Sequence, residues 1–204
     1  MTQYATSSAH FTRRAWPTPR VLRGFTTIEL MVVMAIMSVL MALAAPSFTP
    51  LIEGWRVRQA AEQLQSTLYY ARSEAIKRGG QVIVQKLPDG TNGCATASVN
   101  TAWSCGWRVC HNKNKDDICD ITTNSTTNEE LQRYDAPSQI AVERTSGGTT
   151  IKLNRWGIVD GLPNFSIRVK PYGKPDANPS ARLICVSSGG RIRITTAGKT
   201  SCDS

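Results

Sequence analysis

Between Leu30 and Ala45 every residue is apolar except Ser38, and one carboxylate, Glu29, stands where that run begins. The run has 16 residues. Counting Phe25 to Ile28 extends it to roughly 20 residues, about what a ~30 Å hydrocarbon core requires. Arg13, Arg14, Arg20 and Arg23 precede it with no acid among them, so the leader is expected to stay cytoplasmic and the rest to be exported. A carboxylate at the bilayer centre costs ~2.5–3.5 kcal/mol or more, so Glu29 is expected to have a partner. A secretory signal cut near Ala45, after Ala42 and Ala44, would leave Glu29 unexplained. A cut between Gly24 and Phe25 explains it: the new α-amine of Phe25 is positive and, in an assembly, would pair with Glu29 of a neighbouring subunit.

The stretch Arg23-Gly24-Phe25-Thr26-Thr27-Ile28-Glu29-Leu30 resembles the cleavage and N-methylation motif of type IV pilins and type II secretion pseudopilins. The resemblance implies that a prepilin peptidase cuts after Gly24 and methylates Phe25, that Glu29 serves filament assembly, and that Pro46 kinks the helix. It also implies an inner-membrane protein with a single pass and a periplasmic head, which later joins other pilins on the cell surface.

After Pro46 the pattern becomes amphipathic. Val57, Ala60, Ala61, Leu64, Leu68, Ala71 and Ala75 recur at steps of three and four, with Arg58, Glu62, Gln65 and Arg72 between them. Lys77 and Arg78 close the last turn and Gly79-Gly80 is a stop signal. A helix from Phe25 to Arg78 would be ~80 Å long at ~1.5 Å per residue. Beyond Gly80 the period becomes two, and strands are predicted at 82–85, 106–110, 139–142, 149–153, 165–170, 182–186 and 190–195. Pro88–Asn92 and Pro171–Ser180 are loops. The expected class is α+β: a long N-terminal helix on an antiparallel sheet or sandwich. The expected organisation is a cleaved leader at 1–24, a transmembrane or filament-core helix at 25–46, an amphipathic half at 47–79 and a β-rich head at 80–204.

The six cysteines are Cys94, Cys105, Cys110, Cys119, Cys185 and Cys202. None forms a C-x-x-C pair, and His111 is the single histidine after the leader, so no zinc site and no metal cofactor is expected. An exported head favours disulfides, with Cys185–Cys202 closing the tail and the other four clipping the central loops. Each bridge is expected to add ~2–4 kcal/mol, chiefly by restricting the unfolded chain. Gly198-Lys199-Thr200 echoes the end of a phosphate-binding loop, but Arg193 stands where the first glycine is needed and no helix follows. No catalytic constellation survives inspection, and the chain is not expected to be an enzyme. Asn112 to Asp120 has oxygen ligands at alternate positions, as a calcium loop would. Lys113 and Lys115 reduce its charge, however, and Asp117 replaces the turn glycine. Trp107 to Asp120 resembles the D-x-N-x-N-G-x-x-D turn of the GspH/FimT branch of pseudopilins, with two departures, and a structural turn is expected.

Charge is concentrated at the end. The formal net charge is +9, and residues 144–204 hold ten basic against three acidic residues. Polyanions become candidate partners. In a strand through Gly190-Arg191-Ile192-Arg193-Ile194, the two arginines share one face and the isoleucines the other. Their separation of ~6.6 Å matches the ~6.8 Å axial distance across two nucleotides of one DNA strand. Gly189-Gly190 is expected to leave backbone amides accessible. Arg182, Lys199, Arg168, Lys170 and Lys174 would extend the patch, and few aromatic residues accompany it in sequence. An edge strand kept soluble by its arginines is the plain alternative. Gly190-Arg191-Ile192-Arg193 is similar to the G-R-x-R motif of FimT-type minor pilins. That resemblance implies capture of extracellular DNA for natural transformation, mostly through phosphates, by Gly190, Arg191 and Arg193. Arg182 and Lys199 join them on charge alone. A structural minor pilin or GspH-like pseudopilin, priming or capping a filament without DNA, is the other reading.

Overall fold

A computed structural model describes residues 24–119, 128–161 and 164–202. The chain divides into two compact units, residues 1–44 and 45–204. Helix α1, Thr27–Arg78, is the one α-helix among the described residues. Thr26 caps its start: its Oγ1 accepts the Glu29 N–H at 3.2 Å and its carbonyl accepts the Leu30 N–H at 3.2 Å. Every described residue from Gly24 to Leu43 is exposed. No single described helix is long and apolar enough to cross a membrane; Thr27–Leu43 and Phe48–Arg78 reach that threshold only together. Residues 1–23 of the leader lie outside the described residues, as do the side chains at 44–47, where the kink at Pro46 is expected.

In the second unit the helical stripe is buried as the spacing requires. Val57, Ala60, Ala61, Leu64, Leu68, Ala71 and Ala75 all lie in one core cluster. Four of these are alanines, which let the helix backbone approach the strands closely. Thr67 makes the polar link: its hydroxyl donates to the Gln63 carbonyl at 2.9 Å and accepts the Trp107 indole N–H at 3.1 Å. The Gly80 amide reaches back to the Ala75 carbonyl at 2.7 Å, with Gly79 and Gly80 both at positive φ, so the glycine pair ends the helix.

Eight strands follow among the described residues: β1 Val82–Lys86, β2 Trp107–Asn112, β3 Asn128–Tyr134, β4 Ile140–Arg144, β5 Thr150–Leu153, β6 Phe165–Pro171, β7 Arg182–Val186 and β8 Ile192–Ile194. They form two antiparallel sheets of four, in the orders β3-β2-β1-β5 and β4-β6-β7-β8. The core cluster takes Val82, Trp107 and Ile151 from the first sheet and Ile167, Ile184 and Ile192 from the second. The architecture is thus the expected α+β one, with a helix on antiparallel sheets. Seven of the strands lie where period-two patterning puts them. β3 does not: its sequence, Asn-Glu-Glu-Leu-Gln-Arg-Tyr, is mostly polar and its side chains are mostly half-exposed. It is an edge strand, paired to β2 alone.

Disulfides join Cys94 to Cys105, Cys110 to Cys119 and Cys185 to Cys202, with Cα–Cα distances of 5.5, 5.9 and 5.8 Å. The Asn112–Cys119 segment is tied by its own side chains. Asp116 accepts the Asn114 amide at 2.7 Å and the Ile118 N–H at 3.0 Å, and Asp117 pairs with Lys152. Two carboxylates that a cation would need are therefore already engaged; Asp120 lies outside the described residues. His111 Nδ1 lies 3.2 Å from the Arg78 guanidinium.

Candidate nucleic-acid interface

The hairpin of β7 and β8 turns through Ser187–Arg191. Gly190 donates to the Ser187 carbonyl at 2.8 Å, Ser187 donates to the Arg191 carbonyl at 3.0 Å, and Arg191 N–H donates to Ser187 Oγ at 3.1 Å. Gly190 has φ +78°, a conformation that favours glycine. The turn is also fastened from outside. Arg72 of α1 donates to the Gly190 carbonyl at 2.8 Å, Tyr69 Oη donates to the Ile192 carbonyl at 3.0 Å, and Asn164 Oδ1 accepts the Ser188 N–H at 3.0 Å. The expectation of accessible amides at Gly189-Gly190 is corrected at Gly190, whose amide is engaged, as are those of Ser187, Ser188 and Arg191. What the glycines provide is a tight turn that carries Arg191.

Strand register aligns Ser166, Cys185 and Arg193 side by side across β6, β7 and β8. Thr145 joins this row, its hydroxyl 2.9 Å from that of Ser166. The row faces away from the core, because the alternating residues Ile167, Ile184 and Ile192 are buried on the other side. It floors an open cleft of about 670 Å³ whose lining includes Thr145, Ser166, Ser187, Arg191, Arg193 and Cys202. Among its described lining residues there is no carboxylate. Strand β8 is shorter than expected, starting at Ile192, so Arg191 belongs to the turn. Even so, Arg191 and Arg193 line the same cleft.

The two arginines are held differently. Arg191 is exposed and has no salt bridge among the described residues. Arg193 is half-buried and donates to the Cys202 carbonyl, which the Cys185–Cys202 bridge fixes beside it. Behind the cleft, Arg144 is 2% exposed and its guanidinium carbon lies 4.7 Å from the Phe165 ring centre. Burial pulls its pKa down to about 10, which still leaves it a cation at neutral pH. Arg144 donates to the carbonyls of Gly148 at 3.1 Å and Thr150 at 2.7 Å. Its charge adds to the positive potential on the cleft side of Phe165.

The other basic residues divide. Arg168 and Lys170 face outward from β6 but are bound to Asp176 at 2.6 and 2.7 Å, and Lys170 also meets Glu143 at 3.3 Å. They do not extend the patch as free cations. Burial disfavours the Lys170 ammonium, yet the bonds to Asp176 and Glu143 outweigh it and raise its pKa. Arg182 alternates to the face shared with Val169 and Ile184, opposite to Arg193. Lys199 and Lys174 are exposed in turns and neither lines the cleft. The residues missed by sequence reasoning are Tyr69, Arg72, Arg144 and Asn164. Arg72 was visible as a polar position on the helix, but nothing local in sequence links it to a turn 118 residues away.

At the N-terminal end, Gly24, Phe25 and Glu29 are all exposed.

The sequence pattern of the family described as Type II transport protein GspH matches residues 60–190. The chain is 38% identical over 171 residues to the pilin-like protein PilA1 of Thermus thermophilus, covering 84% of this chain and 90% of that protein. Its structure is similar to that of the type IV minor pilin FimU of Pseudomonas aeruginosa. The likeness has a TM-score of 0.51 and 20% identity, and covers 72% of this chain and 95% of that one. A second crystal form of FimU gives 0.50 at 21% identity, with 72% and 99% covered.

Proposed function

The chain belongs to the GspH family of minor pilins and pseudopilins, and from that premise we propose that its head captures extracellular DNA for uptake in natural transformation. The observation that carries this reading is the convergence of Arg191 and Arg193 on one cleft whose described lining holds no carboxylate. Guanidinium groups bind phosphate through forked, charge-assisted hydrogen bonds. The surrounding hydroxyls of Thr145, Ser166 and Ser187 suit phosphate oxygens and carry no base code. Binding is then independent of sequence and weakens steeply with salt.

The N-terminal reading completes the picture. A prepilin peptidase cleaves after Gly24 and methylates Phe25. The apolar half of α1 resides in the inner membrane before assembly, with the head in the periplasm. In the filament, the amine of Phe25 meets Glu29 of a neighbouring subunit, and the exposed apolar residues from Ile28 to Leu43 are covered by the helices of other pilins. The same apolar surface supports a second reading, in which the protein only primes or caps a filament of the pilus or type II secretion kind.

Titration of the mature chain in detergent against labelled DNA, at two salt concentrations, separates the two. Salt-sensitive binding that is lost in Arg191→Gln/Arg193→Gln supports DNA capture at the cleft. Binding that survives this double substitution makes the attraction diffuse and removes the site from the cleft, and no binding by the folded protein leaves the purely structural pilin.

A further inference from the structure

The tertiary structure brings aromatic rings to a basic site that has none nearby in sequence. Tyr69 is 47% exposed, and its hydroxyl is anchored to the Ile192 carbonyl between Arg191 and Arg193. One helical turn on, Arg72 holds the Gly190 carbonyl. Arg72 also lies against the turn that follows β5: a Cβ added at Gly157 would meet Arg72 Cγ at 2.5 Å and Ile76 Cδ1 at 3.1 Å. At the tip of that turn stands Trp156, 70% exposed. Its position is set by a closed network. Asn154 Oδ1 accepts the Trp156 N–H at 2.9 Å and the Ile158 N–H at 3.2 Å. The Asn154 backbone exchanges bonds with Gly157 and Ile158 at 2.9 and 3.0 Å. Exposed Arg155 precedes the ring. The Trp156 turn and the Gly190 turn thus both lie against Arg72.

Resting on the function proposed above, we propose that Tyr69 and Trp156 form a base-stacking platform beside Arg191 and Arg193, so that the DNA held there is single-stranded. In a duplex the base faces are stacked on one another and closed to protein rings. In a single strand every base offers a π-face, and aromatic side chains next to phosphate-binding cations are the usual means of gripping it without reading sequence. Because the backbone of the Trp156 turn is already fixed by Asn154, little conformational freedom is lost when a base stacks on the ring. A contact with a neighbouring pilin is the alternative use of an exposed tryptophan, and the experiment distinguishes the two.

The full mature chain in detergent is titrated with a fluorescent oligo-dT strand and with a duplex of equal length, as wild type, Trp156→Ala, Trp156→Phe and Arg191→Gln/Arg193→Gln. The expected result is tighter binding of oligo-dT than of duplex. Trp156→Ala should weaken oligo-dT binding about 5- to 100-fold with the duplex within about twofold, and Trp156→Phe should recover most of the loss. The double arginine variant should lose both ligands. Wild-type binding that needs Arg191 and Arg193 but is unmoved by Trp156→Ala, or a Trp156 effect equal on both DNAs, overturns the stacking platform alone and leaves the ring to a protein contact. A wild-type chain that binds neither DNA overturns the proposed function together with the platform.

Discussion

Two pairs of cations face outward from the same sheet, and they differ in what surrounds them. Arg168 and Lys170 on β6 share Asp176, and Lys170 adds Glu143. Arg191 and Arg193, at and beside β8, line a cleft whose described walls hold hydroxyls, an amide and a disulfide but no acid. Formal charge is equal in the two places. Available charge is not, because a carboxylate within hydrogen-bonding distance cancels the field that a distant polyanion would feel. The +7 of residues 144–204 is therefore a poor measure of the site, and the position of one loop aspartate matters more than the count.

The largest effect expected is a difference between double variants. Arg191→Gln/Arg193→Gln should lower DNA affinity about 100-fold at low salt and flatten the salt dependence, whereas Arg168→Gln/Lys170→Gln should change affinity less than about threefold. Equal losses would mean that the β6 pair exchanges its acid for phosphate. A smaller effect of opposite sign sharpens the point: Asp176→Asn frees Arg168 from its acid, leaves Lys170 only Glu143, and should raise affinity about 3- to 10-fold. Unchanged affinity in that variant would show that geometry, not neutralisation, silences β6.

The same aspartate predicts a pH dependence. Its bond from Lys170, aided by Arg168, lowers the Asp176 pKa below its ordinary 3.8 although burial opposes this. A carboxyl whose folded pKa is depressed contributes stability above its unfolded pKa, and that contribution disappears as pH falls through the folded value. Thermal unfolding of wild type and Asp176→Asn should therefore differ at neutral pH, the difference shrinking below about pH 4 and vanishing once the pH has passed the depressed folded value. A difference that persists there would make the contact steric. The smallest expected effect is that of Lys199→Gln, less than about twofold on DNA binding, since an exposed lone cation outside the cleft contributes only a screened attraction. A tenfold loss would extend the site onto the tail.

Much of the fold was legible because it rests on repeating local patterns. The seven buried helix positions were read from spacing alone, since a 3.6-residue period with one apolar stripe leaves a helix only one face to bury. β6 was equally plain, its residues alternating buried and half-buried from Phe165 to Pro171. β3 was not, because an edge strand bonded on one side tolerates polar residues on both faces. Within the site, Arg191 and Arg193 could be read from a short motif, and their common cleft agrees with the expected common face although β8 starts one residue after Arg191.

What the sequence by itself determined is the helix, its stop at Gly79-Gly80, the alternation of most strands and the gathering of basic residues near the end. Each depends on neighbours within a few residues. The tertiary structure alone decided which of those cations are free, by bringing Asp176 to β6 and none of the described acids to the cleft. It also brought Tyr69, Arg72 and Trp156 to a turn distant in the chain, and it turned Arg182 to the opposite face from Arg193. Electrostatic pairing and ring placement depend on distances between segments that no local pattern encodes, so they become defined only when the helix and both sheets share one core.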